Sequence, residues 1–441
     1  MNRAALALTL VLWSPLWAAA MQPRVAVEEE AYSFTNPKNG SGPLWSFGCT
    51  PLARVGERVF LSQMETGEGV PLLCNTRWRL LERTEAGWKV VVEAPAYRQR
   101  EPTLLTTDAA NRLFLYVNDS LMPPGTEYGP CEPHLLAFDL KSTPPVPVKI
   151  SPVWDGPTTY TDHSYRGYAA DAEAGQVLMF NIDAKTSAQH FCLLNMNDGA
   201  TLSNGVVTYP IRSCYAQVAL EHGRGHMLAV GDIVEPVEEW RAYKFEKTQQ
   251  HWDYVFRRLF YTVNPDIAHG AFGAPLEIAN LDATAGAISN QDLWIAPNGD
   301  AYILYTEREV ASELMRDKFF PGKSTLNNLT LAIVRDGAVL ERRTLLTGTA
   351  EKQPGHGRFH VTPDGAVYLL LYTAGQAPAN VLMPIYPQTA PDQQVVVPFK
   401  TPFSSFLLAS IRAGNAPSNT IDLMGTAGNG SAISYGRIVL E

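Results

Sequence analysis

The chain is poor in the features by which many functional classes are recognised. Cysteine is scarce: Cys49, Cys74, Cys131, Cys192 and Cys214 are the only five in 441 residues. A low, odd count leaves at least one thiol free or paired between chains, and it excludes a fold that depends on disulfides. A basic excess is also missing. The formal charge of −9 argues against nucleic acid or an anionic membrane surface as partner, although it leaves room for a local basic cleft. After residue 20 no stretch approaches the roughly 18 uninterrupted apolar residues of a membrane span. There is no G-x-S-x-G, H-E-x-x-H or phosphate loop, which removes the familiar hydrolase, zinc-protease and nucleotide signatures. The S-x-D-x-G-x-x-W box is absent too, since "TPDGAVY" and "APNGDAY" keep only its Asp/Asn-Gly turn. Cys131-Glu-Pro-His134 has ligand-like spacing but no second pair nearby, so no metal centre is expected.

What is present begins with "MNRAALALTLVLWSPLWAAA", residues 1–20, in which one Arg precedes an apolar run and a small-residue end. This predicts a signal peptide and an exported, periplasmic or secreted protein. The rest reads as one large all-β domain, residues 21–441, built from short period-2 segments, Gly/Asp/Asn turns and 32 prolines in the whole chain. The stretch from Glu235 to Thr262 departs from that pattern and predicts a partly helical insertion near 235–256.

A unit recurs: an alternating strand, a tight turn, then a more continuously apolar strand. Copies start at Cys49, Glu101, His163 ("HSYRGYAADAEAGQVLMFNID"), Cys214, Asn290, Arg358 and Phe406, successive starts lying one blade length apart. Seven copies predict a seven-bladed β-propeller closed by strands from both termini; a pair of β-sandwiches is the alternative. In a propeller the first strand of each blade lines the axis, so each unit's two ends meet at one rim. The expected rim groups are His163 with Asn181 and Asp183, Tyr215 with Gly231 and Asp232, and Asp292 with Glu307 and Arg308. Glu101 with Asp119, and Phe359 or His360 with Tyr372, complete the ring.

His163 stands between Asp162 and Ser164. A neutral imidazole can take a proton near pH 7, and a neighbouring carboxylate favours that role; the structural alternative is a loop hydrogen bond. Tyr215 heads the next unit. Its phenol can protonate a leaving oxygen, or act as a base if Arg212, His163 or Arg166 lowers its pKa from near 10; the alternative is inner-strand packing. Arg257, Arg258 and Arg308 can clamp an anion or serve in salt bridges. His222 and His226, in "EHGRGH", read as solvated turn residues, because the glycines oppose the helix that i, i+4 metal ligands need. Trp45, Trp154, Trp240, Trp252 and Trp294 are candidates for stacking on sugars, with core packing the commoner role.

At these units the sequence resembles the BNR-like propeller families that include ulvan lyases, rhamnose–glucuronate lyases and rhamnosidase-like propellers. Their pattern sets a His ahead of x-x-x-x-A-x-D-x-x-G, a second His about 20 residues on, then a Tyr opening the next unit and an Arg about 16 beyond it. "HSYRGYAADAEAG" matches at His163 and "YAQVALEHGRGHMLAVG" at Tyr215, whereas Asp183 replaces the second His and Gly231 or Asp232 the Arg. Over the mature chain it is more similar to uncharacterised secreted propellers with "SDIVEP..EWR.YK" and "WDY.FRRLF", here "GDIVEPVEEWRAYK" and "WDYVFRRLF". The lyase resemblance implies β-elimination at a uronic acid: a cation neutralises the C6 carboxylate, a base takes the C5 proton and an acid protonates O4. His163 and Tyr215 would share the proton steps, and Arg166, Arg212, Arg258 or Arg308 would replace the missing Arg. Asp183 or Asp232 with a second carboxylate would instead support glycoside hydrolysis, and a noncatalytic glycan-binding propeller would use the same rim. The expected partner is an acidic polysaccharide or oligosaccharide. No cofactor is expected, a structural calcium ion remains admissible, and the chain is expected to be a monomer.

Overall fold

The computed structural model describes residues 22–126, 128–142, 145–163, 165–387, 394–428, 430 and 432–441. The expected signal peptide lies outside the described residues. The chain folds as a seven-bladed β-propeller of seven four-stranded antiparallel sheets, with one added two-stranded ribbon. The innermost strands are Leu52–Val55, Leu104–Thr107, Gly167–Asp171, Ser213–Glu221, Ala287–Ile295, Lys352–Val361 and Phe403–Leu408, in blades 1 to 7. Each pairs with the strand that follows it, so the recurring sequence unit is the inner hairpin of a blade. Blade 7 is completed by Pro23–Ser33, whose Pro23 opposes Leu440 on the last strand of the chain. Joining the two ends in one sheet closes the ring and removes a free edge.

The patterning has a packing cause. Second strands such as Gln176–Ile182 are buried on both faces because neighbouring blades cover both, and they read as unbroken apolar runs. Outer strands such as Pro147–Ile150 have no buried residue. Between blades 2 and 3, Phe114 and Tyr116 pack on Val177 and Met179; each such large side chain contributes about 1.5–3 kcal/mol on burial.

The two ends of the axis are filled differently. From the lower face the 410–415 loop of blade 7 crosses the ring, its Arg412 and Ala413 carbonyls accepting from Ala170 and Thr107 N–H at 2.8 and 2.9 Å. Gly414 there has φ +81°, and a Cβ would fall 1.9 Å from the Thr107 carbonyl oxygen, so only glycine fits. The Arg412 guanidinium points up the axis, donating to the carbonyls of Val218 and Gly48 and to Asp292. From the upper face residues 44–49 descend toward it, with Gly48 (φ +96°) pressed against the Gln217 side chain.

Helices Glu238–Thr248 and Glu313–Phe319 both lie between the second and third strands of their blades, 4 and 5, and so at the upper face. Trp240 of one meets Phe320 beside the other at 5.4 Å. No helix of the described residues is long and apolar enough to cross a membrane, and the five thiols are all free.

One histidine departs from the sequence reading. The "EHGRGH" turn is limited to Glu221–Arg224, so His222 is exposed while His226 lies within the second strand Arg224–Gly231, only 1% exposed. Its Nδ1 is 2.6 Å from the Tyr261 hydroxyl. The glycines on either side of Arg224 suggested a longer turn than the ladder allows.

Candidate active site at the axial mouth

Inner strands start at the upper face. On blades 4 to 7 each carries a β-bulge near that end: between Cys214 and Gln217, Asn290 and Asp292, Pro354 and Gly357, and Phe403 and Ser405. A bulge frees residues from the ladder and re-aims their side chains. Of the freed residues all but the buried Ala216, namely Tyr215, Gln291, Gly355, His356 and Ser404, line one cavity of about 610 Å³, a volume typical of a small-ligand site. Phe47, Phe256, Asn290, Arg308 and Arg358 line it as well. Among the described residues none that lines it is an Asp or Glu, although the whole chain carries nine more acidic than basic groups.

An aromatic cluster forms the wall toward blade 3. Phe47, Tyr165 and Tyr215 all have left-handed backbones, with φ of 51°, 44° and 57°. Their rings touch: Phe47 to Tyr215 at 4.1 Å between centroids and Tyr165 to Tyr215 at 4.9 Å. Such conformations cost bulky residues on the order of 1–3 kcal/mol each and cluster at functional sites. Burial, then the neighbouring Tyr165 and Asp232, pushes the Tyr215 phenol well above its ordinary range. It therefore stays protonated at neutral pH and suits proton donation; the alternative of a cation-activated base loses to desolvation.

His163 adjoins this wall on its far side and is not among the residues that line the cavity. Its ring lies 4.2 Å from Tyr165 and 6.1 Å from Trp45, and its Nδ1 is 2.8 Å from Glu101 Oε1. Burial alone would raise the Glu101 carboxyl, but the hydrogen bond and charge of His163, with Arg166 and Arg100, hold it below the usual carboxylate range. A carboxylate on Nδ1 fixes the ring and leaves Nε2 as the acceptor.

The other expected residues are spread between the mouth and the frame. Arg308 lines the cavity and donates from Nη1 to the Ala311 carbonyl at 3.2 Å. Arg212 lies between the Tyr165 and Tyr254 rings, 5.2 and 5.7 Å from their centroids, with Nη1 2.5 Å from Asp232 Oδ2. Asp232 is 1% exposed and occupied by that pair. Arg166 is buried under the mouth, donating to the Tyr116 and Pro102 carbonyls. Arg258 heads the third strand of blade 4, away from the axis, and pairs with Asp282. Asp183 builds a turn, accepting from Lys185 N–H and Thr186 hydroxyl at 3.0 Å each. Arg257 is held by Glu235, which also binds Lys244; "VEPVEEWRAYK" and "WDYVFRR" thus brace the insertion beside the mouth. Among the described residues, no group of three or more His, Cys, Asp or Glu is placed to hold a metal ion.

Blades 5 and 6 correct the expected rim. Their inner strands begin at Ala287 and Lys352, upstream of the units read from Asn290 and Arg358. Asp292 therefore opposes Leu304, below the rim, and His360 opposes Tyr368, while Tyr372 faces the bulge at Gly355 and His356. His356 and Arg358 were missed as site residues because Pro354, Gly355 and Gly357 interrupt the alternation by which a strand is read.

No family model matches the chain, and no curated protein matches it. Among solved structures it is similar to a PL25 ulvan lyase, a polysaccharide lyase, bound to -[GlcA(1-4)Rha3S]-. The TM-score is 0.54 at 8% identity, covering 93% of this chain and 95% of that one. A second PL25 ulvan lyase structure gives 0.53 at 8% identity, covering 92% and 95%. At this identity the likeness is one of fold.

Proposed function

We propose that the protein is an exported carbohydrate-active propeller that cleaves a uronic-acid-containing polysaccharide or oligosaccharide by β-elimination at the axial mouth. The observation that carries this reading is the composition of the cavity: arginines and a tyrosine that burial keeps protonated at neutral pH on its walls, and no carboxylate among the described lining residues. Hydrolysis by a carboxyl pair needs two such groups flanking the bond, and Asp183 and Asp232 are both engaged in structural bonds.

In the proposed reaction a guanidinium neutralises the C6 carboxylate and so acidifies the C5 proton. His163, oriented by Glu101, accepts that proton. The C5 electron pair forms the C4=C5 double bond as the C4–O4 bond breaks, and the Tyr215 hydroxyl protonates the departing O4. The same proton arithmetic restores both groups when His163 returns a proton through solvent to Tyr215.

The test is incubation with a panel of uronate-containing glycans. Ultraviolet absorbance from an unsaturated uronate is the expected result. New reducing ends without that absorbance would replace elimination by hydrolysis, and binding without either product would make the mouth a recognition site.

A further inference from the structure

We infer that the carboxylate of the ligand is held at the cavity floor by Arg358 and His356, and not by any arginine near His163. This rests on the reading above for the sugar, but its physical basis is separate. Arg358 is 6% exposed and borders the cavity. Its Nη2 is 3.1 Å from His356 Nε2, and its Nε and Nη1 are buried without a hydrogen-bond partner in the protein among the described residues.

The charges around it do not balance. The groups that face Arg358 are Asp292, Arg412, Cys49 and His356. Asp292 is already bound by the Arg412 guanidinium and by the Phe359 N–H at 2.7 Å. Burial pushes the Cys49 thiol up and, with Arg358 beside it, pushes the His356 imidazole down to about 3, so both are neutral near pH 7. Two guanidiniums against one carboxylate leave one net positive charge under the floor. Burial, only partly offset by Asp292, brings Arg358 down to about 10. A buried charge without full compensation is costly, and an anion entering the cavity relieves it.

The neutral His356 is part of the arrangement. With Nε2 accepting from Arg358, its Nδ1 carries the proton and is left as a donor on a residue that lines the cavity. Arg308 adds positive charge from blade 5. The site thus takes a single carboxylate, and its sulfate-ester analogue is the competing source of the same charge.

Calorimetric titration with glucuronate, glucose and glucose 6-sulfate separates these cases. Wild-type protein is expected to bind glucuronate at least about tenfold more tightly than glucose, and R358Q to lose that preference, as a charge-assisted contact requires. Tighter binding of glucose 6-sulfate than of glucuronate would overturn the carboxylate assignment. R358Q that binds glucuronate as wild type does would overturn the site. If R358Q does not fold, ¹⁵N-histidine spectra of the wild-type protein decide: added glucuronate is expected to shift the His356 ring nitrogens, and an unmoved resonance refutes the proposal. Glucuronate binding lost in R358Q without any unsaturated product in the glycan assay would sink elimination and keep the site. Unsaturated product formed by R358Q at the wild-type rate would keep elimination and sink the site.

Discussion

His226 supplies a prediction whose size follows from its surroundings. It is 1% exposed in blade 4, its ring stacks on Tyr261, and burial followed by the charge of Arg224 pushes its pKa from 6.5 down to about 3. Between about pH 6.5 and 3 the unfolded chain holds a proton on this residue that the folded chain refuses. Stability is therefore fully present above pH 6.5 and falls as the pH drops, by about 1.4 kcal/mol per pH unit. At about pH 5 the loss from His226 alone is about 2 kcal/mol, and His356 and His360, pushed down by burial to about 3 and about 4, act in the same direction. Glu221, pushed up by burial to about 7, acts in the opposite one. Comparing wild type with H226Q cancels every group but one. Gln keeps a neutral hydrogen-bonding side chain near Tyr261, so H226Q is expected to be less stable at about pH 8, by roughly 1–3 kcal/mol for an imperfectly paired hydroxyl. Its further loss between about pH 6.5 and 5 should be smaller than that of wild type by about 2 kcal/mol. Urea unfolding followed by tryptophan fluorescence at these pH values measures both. Equal pH slopes in the two proteins would refute the reasoning.

Y215F keeps the ring packed against Phe47 and removes only the donor, so turnover on an acidic glycan should fall by about 10²–10⁴ with little change in the unfolding midpoint; retained turnover in a steady-state assay removes Tyr215 from the chemistry. E101Q should lower turnover on an acidic glycan by about tenfold or more, because the carboxylate at 2.8 Å from His163 Nδ1 holds the ring in the orientation that proton transfer needs; unchanged turnover in a steady-state assay separates His163 from proton transfer. R412M leaves Asp292 buried without its guanidinium, at a cost of about 3–5 kcal/mol that R412M/D292N should partly restore, read from urea midpoints; full stability of R412M alone would contradict the axial charge column. Trp252 is 68% exposed and lies 4.5 Å from Tyr254, itself against Arg212 at the mouth. W252A is therefore expected to raise KM for long oligosaccharides while leaving a disaccharide unaffected, and equal effects on both would exclude an outer sugar platform.

The fold was readable because its repeating unit is local. An inner hairpin needs only a period-2 strand, a tight turn and a strand buried on both faces, and each of these leaves a mark within about twenty residues. His163 and Tyr215 are reached the same way, at the heads of consecutive units. Their placement in one aromatic wall depends on Trp45 and Phe47, which arrive from a loop more than a hundred residues away and carry no periodic signal. His226 and Arg358 were misread where glycine or proline disturbed the alternation: in blade 4 the ladder continued through residues that looked like a turn, and in blade 6 the strand began before the pattern did.

The sequence by itself thus determined the number of blades, the ring closure and the face on which inner strands begin, since hydrophobic period and turn chemistry are properties of neighbouring residues. Only the tertiary structure decided which charges are free. Arg166, Arg212, Arg257, Arg258 and Arg358 are alike as letters. Four of them meet carbonyls or carboxylates on other strands and loops, and the fifth stands beside the cavity with an unbalanced charge, because compensation is set by what the fold brings within a few ångströms.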